Sequence, residues 1–196
     1  VLTLCFATPA AAAPFHVSAE GGLGLVTGQP GADLRLRGAY EDDVPYLDAS
    51  LGVGLRVPVA TTSLDRVFPL IGTGSLAGGF RINLSDTLRV GPVGFLDMAV
   101  MPGEERDCGN GCRHHNWVGG DTIGVSLAPA VGLGLWTMTS GGGRFDTTVA
   151  WQPTAIYDMY VPFLLRLEGR WTAPQGWQIG ARATRYQAVV TVGTRL

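Results

Sequence analysis

Residues 122–138 alternate without a break. Ile123, Val125, Leu127, Pro129, Val131, Leu133 and Leu135 take one set of positions. Thr122, Gly124, Ser126, Ala128, Ala130, Gly132 and Gly134 take the other. Side chains of a strand point to opposite faces with a period of two, so this is a long strand with one apolar face and one small or polar face. A helix is a poor alternative, because the glycines and the proline each weaken it. A tilted strand needs about 9–11 residues to cross a bilayer, and this run supplies them.

The same alternation recurs along the chain. Residues 15–26 read as a first strand, and 29–31 (Gln-Pro-Gly) as a turn. Leu34, Leu36, Gly38 and Tyr40 alternate with Arg35, Arg37 and Ala39. Residues 47–59 alternate as regularly as the opening run, 70–82 less so, and 88–100 regularly again. Further strands follow at 145–156 and 161–170, then two of opposite phase at 177–181 and 186–196. The slip of phase near Thr184 and Arg185 marks either a tight hairpin or a bulge. The hairpin gives ten strands; the bulge gives nine, or eight once a weak segment is merged. The expected fold is therefore all-β, an antiparallel up-and-down transmembrane barrel of 8–10 strands.

Composition narrows this further. Charged residues make up 15% of the 196 and hydrophobic ones 46%. A soluble domain usually carries about 25% charged residues, and the outer face of a soluble β-sandwich would hold more charge than these faces do. The net charge of −2 offers no basic field for nucleic acid. No apolar run reaches the roughly 18 residues of a membrane helix, so a bilayer is crossed as a closed barrel or not at all. Short connections follow Tyr40, Ile82, Met138 and Trp171, and the long polar stretch 102–121 follows Val100. Short turns belong to the periplasmic side of outer-membrane barrels and long ones to the exterior. Phe15, Tyr40, Tyr46, Phe80, Trp136, Phe145, Trp171 and Trp177 gather near the short turns, and Trp117, Tyr157, Tyr160 and Phe163 near the other rim, as two aromatic girdles.

The first dozen residues differ in kind. Residues 1–7 are apolar and 8–13 alanine-rich, the pattern of the end of a secretory signal peptide cut before Ala13. Residues 1–12 are thus expected to be its remnant, and 13–196 the barrel. Cys5 would leave with the signal.

From about Phe15 to Leu196 the chain resembles the small outer-membrane β-barrels of Gram-negative bacteria, the broad group that includes the OmpA and OmpX types. The resemblance rests on strand pattern. It implies integral residence in the outer membrane, contact with outer-membrane lipid and no cofactor.

The candidate functional residues lie on the faces opposite the apolar ones: Arg35, Arg37, Asp48, Arg56, Arg81, Arg89, Asp97, Arg166, Glu168, Arg170 and Arg182. A cation facing lipid at mid-bilayer costs about 2–4 kcal/mol, so these charges are expected in the lumen. There they form a filling network of ion pairs. The second reading is a narrow channel for small anionic solutes, since arginine outnumbers acid in this set. The third is a lipid-modifying esterase built on His16, Ser18 and Glu20, which share one face of the first strand. Its geometry along a straight strand is poor for a catalytic triad, and no enzymatic activity is expected. Cys108, Cys112, His114 and His115 could bind Zn²⁺ as four N/S ligands. An oxidising compartment and two mature cysteines favour a Cys108–Cys112 disulfide instead.

Overall fold

The computed structural model describes residues 15–26, 29–42, 45–56, 70–102, 123–152 and 165–196. The described residues form eleven strands and no helix: β1 (Phe15–Val26), β2 (Gln29–Glu41), β3 (Pro45–Arg56), β4 (Leu70–Phe80), β5 (Ile82–Asn83), β6 (Leu88–Pro102), β7 (Ile123–Met138), β8 (Arg144–Trp151), β9 (Leu165–Thr172), β10 (Trp177–Ala183) and β11 (Gln187–Arg195). Each pairs antiparallel with its sequence neighbours except that β4 and β5 do not pair with each other and both pair with β6, and β1 pairs with β11. The sheet therefore closes on itself as an up-and-down barrel.

The staves number ten. β4 and β5 keep one register against β6, from Gly79↔Val93 to Ile82↔Val90, so they are two halves of one stave. That register sets Phe80 opposite Pro92, which has no N–H to give to the ladder, and the stave is interrupted there. The slip near Thr184 resolves as a hairpin: β10 and β11 pair from Trp177↔Thr194 to Ala183↔Ala188. One expectation is corrected. Gln29, Pro30 and Gly31 are not a turn; they belong to β2 and pair with Val26, Leu25 and Gly24 of β1.

Connections alternate in length around the barrel. One end carries only short ones, at 42–44, 84–87, 139–143 and 173–176. The other carries 57–69, 103–122 and 152–164, together with the two-residue step from β1 to β2 and a tight reversal at 184–186. Two of the short turns need a left-handed backbone, which glycine adopts without strain: Gly142 (φ 80°) and Gly176 (φ 92°). Gly176 N donates to Ala173 O at 2.9 Å, and Thr139 N donates to Gly143 O at 2.7 Å.

The two faces of the sheet have opposite chemistry. Leu23 is 72% exposed, Leu34 70%, Val131 64% and Val192 62%, all on the outer face. The inner face holds Ser18, Asp33, Asp97, Ser126, Gln152 and Arg166, none more than 2% exposed. Tyr46 and Trp136 also point inward and are buried, so they are not part of the outer girdle. Phe15, Tyr40, Phe80, Phe145 and Trp177 do face outward near the short turns, where Trp171 and Trp177 pack edge to face at 4.5 Å.

Candidate functional site

The inner face is filled by arginines and carboxylates that answer one another across the bore. At the short-turn end Glu41 is the hub. Arg144 grips both its oxygens, Nη2 donating to Oε1 at 3.0 Å and Nη1 to Oε2. Arg144 Nε also donates to Asp146 at 2.5 Å. Arg81 Nη2 lies 3.2 Å from Glu41 Oε2, an ion-pair distance without hydrogen-bond alignment. Its guanidinium caps the packed rings of Tyr46 and Trp136, 4.9 and 4.7 Å from their centroids, which are 5.5 Å apart. Such cation–π contacts gain strength when desolvated.

At mid-height Arg37 is the hub. Its Nε donates to Asp48, its Nη1 to Glu168 at 2.5 Å and its Nη2 to Tyr46 Oη at 3.2 Å. Glu168 also accepts from Arg166 at 3.1 Å. Arg170 reaches Glu20 and Asp146, both at 3.3 Å. Period two on β9 puts Arg166, Glu168 and Arg170 on one inner face, so this strand touches carboxylates from β1, β6 and β8 as well as β2's Arg37.

Nearer the long-connection end, Arg35 donates to Ser50 at 2.8 Å and Thr73 at 2.9 Å. Asp33 sits 3.4 Å from both Arg35 and Arg182. Asp97 accepts from Gln152 at 2.8 Å and Arg166 at 3.1 Å, and Arg166 stacks 3.8 Å above Phe95. Inner-face glycines make room for these long side chains. A Cβ on Gly52 would come within 3.3 Å of Arg35, and one on Gly193 within 3.0 Å of Glu20.

Nine of the charges expected in the lumen from sequence take part in these pairs: Arg35, Arg37, Asp48, Arg81, Asp97, Arg166, Glu168, Arg170 and Arg182. Arg89 stands half-buried near the short-turn end, opposite Trp136. Arg56 ends β3, and its side chain lies outside the described residues. Sequence reasoning missed Glu20, Asp33, Glu41, Arg144 and Asp146. With them, the carboxylates Glu20, Asp33, Glu41, Asp48, Asp97, Asp146 and Glu168 meet the guanidiniums of Arg35, Arg37, Arg81, Arg144, Arg166, Arg170 and Arg182. Among these paired groups the two signs are equal, so most of the arginine excess of the shorter set is answered.

The His16, Ser18 and Glu20 group is not wired as a triad. His16 Nε2 faces Glu41 at 3.8 Å, Ser18 Oγ has no hydrogen-bond partner, and Glu20 is engaged by Arg170. Cys108, Cys112, His114 and His115 lie outside the described residues, as do residues 1–14. Among the described residues no cluster of His, Cys, Asp and Glu is arranged to hold a metal. The chain matches no protein-family model, no curated protein and no solved structure, so its functional reading rests on this geometry.

Proposed function

We propose that the chain is an integral outer-membrane β-barrel whose lumen is stoppered by its ion-pair network, with a structural or surface-interacting role and no catalytic one. The observation that carries this reading is the inversion of polarity. A barrel in water would leave a continuous band of exposed leucine, valine and aromatic side chains unsatisfied, far beyond the patches soluble monomers tolerate. In a bilayer that band is solvated by lipid, and the buried charges are answered inside. Closure of the sheet removes the hydrogen-bonding edges that lipid cannot satisfy.

The channel reading is the weaker one. Fourteen mutually paired groups neutralise most of the cationic lining that an anion passage needs. The test is twofold. Purified protein is expected to require detergent and to migrate differently on a gel before and after heating, and planar bilayers containing it are expected to show no steady conductance. A monodisperse, detergent-free monomer in plain buffer sinks the membrane reading. A large wild-type conductance sinks the stoppered lumen.

A further inference from the structure

Turn residues at the rim of a sheet ordinarily face solvent. Those of the 84–87 and 140–142 turns do. The 184–186 turn between β10 and β11 does the opposite: Thr184, Arg185 and Tyr186 are all at most 5% exposed. The turn is tightly made, with Thr184 N donating to Gln187 O at 2.7 Å and Tyr186 N to Thr184 Oγ1 at 3.2 Å. Tyr186 points into the barrel, and its hydroxyl donates to Ser126 Oγ at 2.8 Å. Ser126 belongs to β7, separated from β11 around the closed sheet by β10, β9 and β8 on one side and by β1, β2, β3, β4 and β6 on the other. The bond therefore spans the bore.

Around this bond the lining changes character. Val26, Ile71, Ala99, Ala128 and Val189 pack with Tyr186 in one apolar cluster drawn from five staves. It lies at the long-connection end, beyond the charged hubs at Arg37 and Glu41. An apolar constriction resists ions by a mechanism of its own, since it offers a hydrated ion little to replace its water; the buried Arg185 guanidinium, 5.9 Å from the Tyr186 ring centroid, borders it.

We infer that the 184–186 turn is a latch, an autoinhibitory contact that closes the bore independently of the ion pairs. Tyr186 is its bolt and Ser126 its keeper. The inference rests on the stoppered-lumen reading and adds a second barrier in series with the first. Loosening either barrier alone leaves the other in place.

The test is conductance in planar bilayers for wild type, Glu168→Ala, Tyr186→Ala and the double variant, each checked for folding by its heat-dependent gel shift. Wild type and both single variants are expected to be silent, and the double variant to conduct at least about tenfold above either. Conductance from Glu168→Ala alone, at the level of the double variant, overturns the latch, as does a silent double variant. Conductance from Tyr186→Ala alone at that level overturns the independence of the two barriers. If the alanine variant does not fold, Tyr186→Phe keeps the ring and removes only the bond to Ser126. Combined with Glu168→Ala it is expected to conduct in brief bursts, and a silent record from it again overturns the latch. Conductance in wild type instead overturns the stoppered lumen itself, so the two failures are told apart.

Discussion

β7 and β9 present the same outer face and opposite inner ones. Outward, β7 offers Leu127, Val131 and Leu133, and β9 offers Leu165 and Leu167, all exposed. Inward, β7 carries Ser126, Ala128, Ala130, Gly132 and Gly134 before Trp136, while β9 carries Arg166, Glu168 and Arg170. The two are complements. Long guanidiniums rooted on β9 and β2 reach into the bore, while β7 lines it with small side chains. A closed sheet of ten staves has an interior that side chains can fill. Here the filling is divided between staves that supply reach and staves that supply room.

The largest effect should come from the reaching side. Arg166→Ala deprives Asp97 of its ion partner, leaving it only Gln152. Removing one member of a buried pair costs about 3–5 kcal/mol, and urea unfolding of the inserted barrel should show it. A cost no larger than that of Leu167→Ala would break the division, because outer packing would then matter as much as inner charge.

The outer faces are predicted to respond alike. If the barrel sits in a bilayer as proposed, Val131→Arg on β7 and Leu167→Arg on β9 should each destabilise it by about 2–4 kcal/mol, the midplane cost of a cation facing lipid. A large difference between the two would mean that the staves do not share a lipid-facing register.

The smallest effect tests the yielding side. Gly134→Ala puts a methyl group against the Trp136 ring on the inner face of β7. Overpacking of this kind costs about 1–3 kcal/mol. Gly169→Ala on β9 meets open space and should stay within about 0.5 kcal/mol of wild type. Equal costs would show that the small residues of β7 are not there for room.

Much of this architecture was legible because a period of two leaves its mark on every stave. The inner faces of β3, β6 and β9 could be read residue by residue. Charges near the strand ends could not. Glu41 lies in the string 41–45, and Arg144 follows three glycines, so both looked like turn residues. The strands in fact run to Glu41 and begin at Arg144, and each side chain turns into the bore. Asp33 sat beside an apparent Gln-Pro-Gly turn, and pairing across β1 carries the strand through it. Period also says which face a residue takes but not how crowded that face is. Ser126 is inward, as its phase requires, yet it is wholly buried beneath Tyr186, so the lumen is no refuge for a long side chain there.

The alternation of connection lengths has an evolutionary consequence. The stretches 57–69, 103–122 and 153–164 are flanked by directly paired residues of the sheet, Leu55↔Leu70, Pro102↔Ile123 and Trp151↔Leu165. Each pair of exits is fixed roughly 5 Å apart by the ladder, whatever lies between. Doubling the length of a closed segment adds only about 0.6 kcal/mol of closure entropy. Sequence can therefore be inserted, shortened or exchanged at three places on one rim while the staves and the charges within them stay as they are. A change of sequence on that rim costs the fold little, whereas a change in the bore breaks a buried pair.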